Sequence, residues 1–265
     1  MEDYLRNSLI FSRAADEYDE KISANKINLM IRDIEVQIIH KIIKGSDIDS
    51  VLEVGCGTGQ EALRVIRGCG VRVDCIDISG GMLGFARKKM IYNGVADKFR
   101  PIMLSAGDIG AIRNKYGLIY SFNGAINTEP RIKDFISGAS KILMKDGYLV
   151  FSLRNRICIS DFVYSILRMK LGRIRERLGG FVDVPVSEFI VKSRYYSHGE
   201  IIRLLPGDFK VVSVHGLGTL IFPFLANSFP DYFIDNFIRN IEFKINRDFP
   251  FNMVGDEILY VLQKL

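Results

Sequence analysis

Tryptophan is absent from the sequence, and histidine and cysteine are scarce, with three and four copies. The cysteines, Cys56, Cys69, Cys75 and Cys158, form no Cys-x-x-Cys pair and no cluster with histidine. Their spacing therefore argues against a structural zinc site, and we expect no metal. Three of them fall in strand or turn settings, which is typical of packed, reduced thiols. We expect a cytoplasmic protein.

Long apolar runs are also absent. No run reaches the roughly 20 residues that a membrane-spanning helix needs, so we expect no transmembrane segment. Residues 1–6 lead into no apolar core, so we expect no signal peptide. The formal net charge is only +5 over 265 residues. Such a balance permits anionic partners without requiring nucleic acid. A hydrophobic content of 48% excludes a disordered chain.

The most informative pattern that is present lies between residues 50 and 60. An apolar strand, residues 51–54, contains Glu53 and stops at a turn in which Gly55, Gly57 and Gly59 occupy alternate positions. Glycine lets the backbone bend sharply and lets a ligand approach closely. A helix is predicted directly after the turn.

A second acidic residue follows the next strand. Asp77 closes the apolar run 71–76, where its carboxylate can accept two hydrogen bonds from a ribose diol. These elements predict a nucleoside-binding βαβ unit. Two details argue against a dinucleotide: the third glycine comes one position early, before Gln60, and Glu53 would repel a pyrophosphate.

A ligand with adenosine at one end and a cationic amino acid at the other suits this pattern better. Its ammonium can lie near Glu53, while its carboxylate meets the N–H groups of the turn, including Cys56, and of the helix. S-adenosyl-L-methionine is such a molecule. From about residue 50 to residue 156 the sequence resembles the class I, Rossmann-like S-adenosylmethionine-dependent methyltransferases.

The order of predicted elements supports an α/β fold. Two helices are predicted within residues 1–44, strands and helices alternate over 51–153, and a long helix is predicted over 157–178. We predict one domain, 1–265, with a helical lid (1–45), a cofactor-binding core (46–156) and cap segments with the final strands (157–265). The resemblance implies a doubly wound, mostly parallel seven-stranded sheet whose seventh strand is antiparallel.

The resemblance also implies further cofactor contacts. Ile78 and Met82 match family positions that pack around the adenosine, although both also fit a helix core. The carboxylate of Asp108 would accept a hydrogen bond from the adenine amino group, and the Ile109 N–H would meet a ring nitrogen. Asp108 also fits as the N-cap of the following turn.

A Phe-x-x-x-Ala-x-x-Tyr-Asp pattern begins at Phe11 and includes Tyr18. In many small-molecule members of the family the segment with this pattern resembles a lid over the cofactor, which would bring Tyr18 close to the sulfonium. An amphipathic helix that packs on the core explains the same pattern equally well.

The acceptor side is less clearly marked. Ligands of open α/β sheets lie beyond the carboxyl ends of the strands, so the loop after residue 121, with Phe122, Asn123 and Asn127, should face the methyl group and the acceptor. Either asparagine could orient an acceptor hydroxyl, but asparagine is also common in ordinary loops. Tyr195 matches a subset of small-molecule members. His215 could be a general base in the pocket, or simply a structural histidine. No catalytic residue is identified by the pattern.

Two compositional clusters leave alternatives open. A phenylalanine-rich region fits ordinary core packing, but it could also wall a pocket for an apolar acceptor, form a dimer face or touch a membrane. It contains Phe222, Phe224, Phe229, Phe233, Phe237 and Phe243. A basic cluster over 168–177 could be a solvated helix face or could bind an anionic substrate or RNA. The sequence predicts methyl transfer to a small molecule. An RNA methyltransferase and a catalytically silent cofactor-binding partner subunit remain alternatives, and a homodimer stays open.

Overall fold

The central sheet and its flanking helices follow the predicted alternation. The computed structural model of the chain describes residues 2–221 and 230–265. The strands are β1 (Ser50–Val54), β2 (Arg72–Asp77), β3 (Phe99–Met103), β4 (Tyr116–Ser121), β5 (Leu143–Arg154), β6 (Phe181–Val186), β7 (Phe189–Arg194), β8 (Phe209–Leu217) and β9 (Glu257–Lys264). The α-helices are α1 (Glu2–Ser23), α2 (Lys26–Ser46), α3 (Gln60–Cys69), α4 (Gly80–Tyr92), α5 (Ile132–Ile142), α6 (Ile159–Leu167), α7 (Leu171–Gly179), α8 (His198–Leu204), α9 (Asp231–Phe233) and α10 (Arg239–Ile245), with a π-helical turn over Ile234–Ile238.

Seven of these strands form one sheet in the order β3-β2-β1-β4-β5-β9-β8. Neighbours from β3 to β5 are parallel, whereas β9 is antiparallel to both β5 and β8. Every residue of β4 is buried, as expected of a parallel strand covered on both faces. The structure therefore confirms the doubly wound, mostly parallel seven-stranded fold.

Two hydrophobic clusters cover the two faces of the sheet. Because side chains alternate along a strand, Val51 joins the cluster with α2, α3 and α4, whereas Leu52 joins the cluster with α5 and α8. Burial on both faces explains why the strands are nearly continuous apolar runs in the sequence.

The region after β5 differs from the sequence prediction. The long helix predicted over 157–178 is two helices, α6 and α7, because the chain turns at Met169, which has a φ of 54°. A strand that the sequence reading missed, β6, pairs with β7 as an antiparallel hairpin separate from the main sheet. Pro185 is tolerated there because a two-stranded hairpin leaves edge positions that need no N–H donor. We call α6, α7, β6 and β7 the cap segment.

The phenylalanine-rich region is only partly described. Phe222, Phe224 and Phe229 lie outside the described residues, as does the neighbouring Pro223. Phe233 and Phe243 pack against the hydrophobic cluster that contains Val51 and residues of α2, α3 and α4. Phe237 stacks on Phe233 and remains half exposed. Among the described residues, no helix is long and apolar enough to cross a membrane.

A buried ion-pair network holds the cap segment to the sheet. The guanidinium of Arg177 donates to the carboxylates of Asp161 at 3.0 Å and Asp256 at 2.8 Å, and its Nε donates to the Asn155 carbonyl at 2.8 Å. Arg154 pairs with Asp256 from the other side. One side chain of α7 thereby joins α6, the end of β5 and the start of β9.

We expect Arg177→Met to lower the free energy of unfolding by about 3–5 kcal/mol, because the buried Asp161 carboxylate loses the ion pair with Arg177. Urea denaturation measures the change. Arg175→Met, on the exposed side of the same helix, is the matched control and should stay within about 0.5 kcal/mol of the wild type. Equal stability of the two variants would contradict the proposed importance of this network.

Candidate active site

A cavity of about 530 Å³ lies beyond the carboxyl ends of β1, β2 and β4, between α1 and the β6–β7 hairpin. The structure brings most of the residues predicted for the site to its wall. These are Tyr18, Glu53, Gly55, Cys56, Gly57, Asp77, Ile78, Met82, Phe122, Asn123 and Tyr195. It does not bring Gly59, Asp108, Ile109, Asn127 or His215 to that wall.

The glycine turn has two kinds of spatial requirement. Gly55 has a φ of 70°, and a Cβ on it would lie 2.4 Å from the Cβ of Ala125 in the loop after β4. Gly59 has a φ of 74°, and its Cβ would lie 3.0 Å from the Cβ of Ala86 in α4. Gly55 therefore allows two loops to meet at the cavity, while Gly59 allows α3 and α4 to pack.

Asp77 is held in place by backbone donors. One carboxylate oxygen accepts from the Gly57 N–H at 2.8 Å and the other from the Ser79 N–H at 2.9 Å. Burial raises the pKa of Asp77 above its usual value, and the backbone donors oppose that rise. The carboxylate joins the glycine turn to the start of α4 and still faces the cavity.

Glu53 is almost completely buried at the floor of the cavity. Its Oε2 accepts a hydrogen bond from the Tyr120 hydroxyl at 3.0 Å, and the Cys75 thiol lies 3.8 Å from the same oxygen. Burial, and next the nearby Glu61, raise the pKa of Glu53 well above its ordinary value. A cation beside Glu53 would favour its charged form.

A buried ion pair that the sequence reading missed lines the same end. Arg32 of α2 donates to Glu61 of α3 at 2.7 Å, and both line the cavity. The Nε of Arg32 is buried and has no hydrogen-bond partner within residues 2–221 and 230–265. The sequence analysis overlooked Arg32 because it lies among the apolar residues of α2. A charged residue on the buried face of a helix is the sequence signal that could have indicated this site.

Helix α1 is fastened over the cavity at several points. Asp19 accepts from the Thr58 hydroxyl and the Lys89 ammonium, both at 2.5 Å, so that α1, the glycine turn and α4 meet there. Ser12 hydrogen-bonds Ser79 at 2.8 Å. Near the first turn of α1, the Tyr4 hydroxyl donates to Glu129. The side chain of Tyr18, between these points, is part of the wall.

Asp108 and Ile109, which the resemblance placed beside the adenine, do not line the cavity. Both oxygens of Asp108 accept from Arg131 at 2.9 Å, in a half-exposed pair that lowers the pKa of Asp108. The side chain of Ile109 is fully buried in the hydrophobic cluster that contains Leu52 and residues of α5 and α8. Instead, Leu104, Ala106 and the buried Glu129 form the wall at this position.

Two residues considered for the acceptor side, Asn127 and His215, do not line the cavity. The amide of Asn127 is turned into the protein, where it donates to the Arg194 carbonyl at 2.5 Å and accepts from the Arg154 N–H at 3.0 Å. His215 is buried between Ser213 at 3.0 Å and Asn246 at 3.1 Å. Both side chains are structural, because their polar atoms are occupied by the protein itself.

The β6–β7 hairpin closes the acceptor end of the cavity. Val182, Val184 and Val186 occupy alternate positions of β6 and line the cavity together with Val191. The four valines are apolar, but Asp183 and Ser193 of the same hairpin also line the cavity. Beside the hairpin lies a polar side formed by Arg154, Arg173, Arg177, Tyr195 and Asp256. In the described ranges no group of histidine, cysteine and carboxylate side chains could hold a metal ion.

The burial of His215 predicts a measurable pH dependence of stability. Burial lowers the pKa of His215 to about 4, against about 6.5 in the unfolded chain. Between these values the unfolded state binds more protons, so stabilisation that is present above pH 6.5 is lost as the pH falls towards 4. We expect the free energy of unfolding of the wild type to fall by about 3 kcal/mol more than that of His215→Gln over this range. Parallel pH curves for the two proteins, from urea denaturation, would contradict this assignment.

Comparison with known proteins agrees with this geometry. The family model described as a methyltransferase domain matches residues 51–147. An uncharacterised protein of Methanocaldococcus jannaschii is 29% identical over 238 residues, which cover 87% of this chain and 84% of that protein. A ubiquinone/menaquinone biosynthesis C-methyltransferase of Brucella anthropi is 31% identical over 98 residues, or 36% of this chain and 37% of that enzyme.

The fold as a whole has solved counterparts. A crystal structure of an S-adenosylmethionine-dependent methyltransferase from Clostridium acetobutylicum superposes with a TM-score of 0.59 at 15% identity. The superposition covers 87% of this chain and 90% of that one. Residues 51–147 therefore match a methyltransferase domain, and the strand order of the whole sheet is that of the Rossmann-like methyltransferase fold.

Proposed function

We propose that the protein transfers a methyl group from S-adenosylmethionine to a small, largely apolar acceptor held under the cap segment. The observation that carries this proposal is the continuity of the cavity. One space is lined both by the glycine turn with its acidic residues and by the valines of β6. Its volume of about 530 Å³ falls within the roughly 300–1,000 Å³ of small-molecule sites.

The residues of the deep end fit the cofactor. Asp77 would accept hydrogen bonds from the ribose diol, and Glu53 would face the ammonium group. The unpartnered Nε of Arg32 would donate to the carboxylate, since a buried donor without a partner costs free energy that a ligand oxygen can recover. Ile78 and Met82 would pack on the adenosine, and Tyr18 would cover the amino-acid end.

The acceptor end favours an apolar molecule. Four valines supply most of the apolar surface at this end, and Asp183, Tyr195 and Arg154 can orient a polar group of the acceptor. The similarity of residues in the core to a C-methyltransferase of quinone biosynthesis supports a small-molecule acceptor as well.

The positions of the basic residues in 168–177 favour a small-molecule acceptor over RNA. An RNA enzyme would need the basic residues of 168–177 on one continuous outer surface near the cavity. Arg173 and Arg177 instead face inward and pair with Asp161, and Arg177 also pairs with Asp256. These two guanidinium groups are neutralised by carboxylates of the protein.

Catalysis in such a site depends mainly on how the acceptor is positioned relative to the methyl group of the cofactor. The cofactor supplies a methyl carbon that is already activated by the positive sulfonium. The protein then has to hold the acceptor in line and exclude water. None of the three histidines, all of which lie in the described ranges, lines the cavity. We therefore propose that no histidine acts as general base. Burial acts to raise the pKa of Asp256, but Arg154 and Arg177 hold it below its usual value, so this carboxylate stays ionised.

Asp77→Asn should weaken binding of S-adenosylhomocysteine, the demethylated cofactor, about ten- to hundredfold, since it removes a charged acceptor of hydrogen bonds. Isothermal titration calorimetry measures the effect. Asp74→Asn is the matched control on the same strand, because Asp74 pairs with Arg100 and Tyr116 outside the cavity. If Asp77→Asn binds like the wild type, the proposed ribose contact is wrong.

The acceptor class can be tested with methyl-labelled cofactor and two extracts, one of small apolar molecules and one of total RNA. We expect label only in the small-molecule extract, and about tenfold less with Val184→Trp, whose ring fills the acceptor end and blocks in-line alignment. Val212→Trp, on the exposed side of β8, is the control.

In the same experiment, unchanged binding of S-adenosylhomocysteine shows that Val184→Trp is folded. Label in RNA would overturn the small-molecule proposal, and absence of label in both extracts would favour a catalytically silent binding module.

A further inference from the structure

Helix α6 reverses the usual arrangement of a surface helix. Its polar residues Asp161 and Ser165 are buried, whereas Val163, Ile166 and Leu167 are 51%, 59% and 77% exposed. A surface helix normally turns its apolar stripe towards the core and its polar residues towards water. In α6 the apolar residues have helical spacing, but they face solvent while the polar residues face the protein.

The buried ion-pair network explains why the polar face points inward. Asp161 accepts from Arg173 at 3.2 Å and from Arg177 at 3.0 Å, and Ser165 lies 3.5 Å from Asp161. Rotating α6 to bury its apolar side would leave these charges without partners, which is costly. The exposed apolar side is therefore a fixed feature of the fold.

The exposed side continues through the turn into α7. Met169, at the tip of the turn, is 90% exposed, and Leu171 is 62% exposed. We define the docking face as six apolar residues, namely Ile159, Val163, Ile166, Leu167, Met169 and Leu171. Monomeric soluble proteins rarely expose such a contiguous apolar group unless it meets another apolar phase.

Basic residues surround this face. Arg168 and Lys170 alternate with Leu167, Met169 and Leu171 in the turn, and Arg175 follows in α7; all three basic residues are exposed. Glu176 is the one acidic residue between positions 168 and 177. The surface is thus apolar at its tip and positively charged at its border.

We propose that the docking face binds the surface of an anionic membrane, with α6 and the turn lying in the interface. Apolar side chains entering the acyl boundary next to basic residues at the headgroups are the physical requirements for such binding. Each basic residue close to an anionic bilayer strengthens binding by about 1 kcal/mol, or roughly fivefold. The nine-residue helix α6 is far too short to span the bilayer.

A second copy of the chain fits this face less well. A two-fold interface places the same surface patch against itself, so Arg168, Lys170 and Arg175 of one copy would approach those of the other. Like charges in an interface oppose association. An anionic lipid surface instead supplies the complementary charge.

The position of the face suggests what docking would achieve. Arg173 and Arg177 of α7 and residues of β6 line the cavity, and α7 packs against α6, which carries four of the six docking-face residues. If the proposed function holds, an apolar acceptor could enter from the bilayer. The docking proposal itself does not depend on methyl transfer and can be tested without it.

Vesicle flotation with the full chain provides the test. We expect binding to vesicles in which about a third of the phosphatidylcholine is replaced by phosphatidylglycerol, weak binding to phosphatidylcholine alone, and a decrease with added salt. Leu167→Ser/Met169→Ser should lower the partition coefficient about tenfold or more, because two apolar side chains no longer enter the interface. Arg168→Gln/Lys170→Gln should lower it about twentyfold on anionic vesicles only.

Ile91→Ser/Tyr92→Ser is the matched control, since these residues are equally exposed but lie at the end of α4. It should bind vesicles like the wild type. Unchanged binding of S-adenosylhomocysteine shows that each variant is folded, whether or not methyl transfer is detected. The proposal is overturned if the wild type binds neither vesicle type, or if the docking-face variants bind as well as the control. It is likewise overturned if sedimentation shows a dimer that Leu167→Ser/Met169→Ser dissociates.

Discussion

The pairing of Arg177 with Asp161 and Asp256 is the interaction on which the rest of the cap segment depends. It joins α7 to α6 and to the start of β9, and it places β6 over the carboxyl ends of the central strands. A buried ion pair need not stabilise a fold more than apolar residues would, but it specifies one arrangement, because each charge is costly without its partner. Here that arrangement closes a cavity on one side and exposes an apolar surface on the other.

At the deep end of the cavity, hydrogen bonds and an ion pair within the protein hold the polar side chains in place. Backbone N–H groups hold Asp77, Tyr120 holds Glu53, and Glu61 holds Arg32, so acidic and basic side chains are both positioned before any ligand arrives. A zwitterionic amino acid attached to a nucleoside matches this alternation of charge. Because methyl transfer from a sulfonium requires alignment more than proton transfer, a cavity that holds the acceptor in line needs no general base.

Much of the core could be predicted from the sequence because its signals are local. The glycine turn, Glu53 and Asp77 lie within one βαβ unit, and their spacing alone indicates a nucleoside site. Asp108 shows what local signals omit: the carboxylate after β3 matches the family pattern, but the pattern does not reveal that Arg131, 23 residues later, donates to both of its oxygens. Asn127 and His215 likewise lie at suggestive positions, but Arg154 and Arg194 satisfy the amide of Asn127, and Asn246 with the nearby Ser213 satisfies the ring of His215.

The sequence by itself determined the alternating α/β order, the glycine turn and the acids that close two strands, because periodicity and spacing act over a few residues. Tertiary structure decided which of these groups share a cavity. It also decided that 157–178 breaks at Met169, that Arg32 meets Glu61, and that α6 turns its apolar side to solvent. The physical reason is that buried charges choose partners across the fold, as Arg177 and Asp256 do over 79 residues, and no local pattern records that choice.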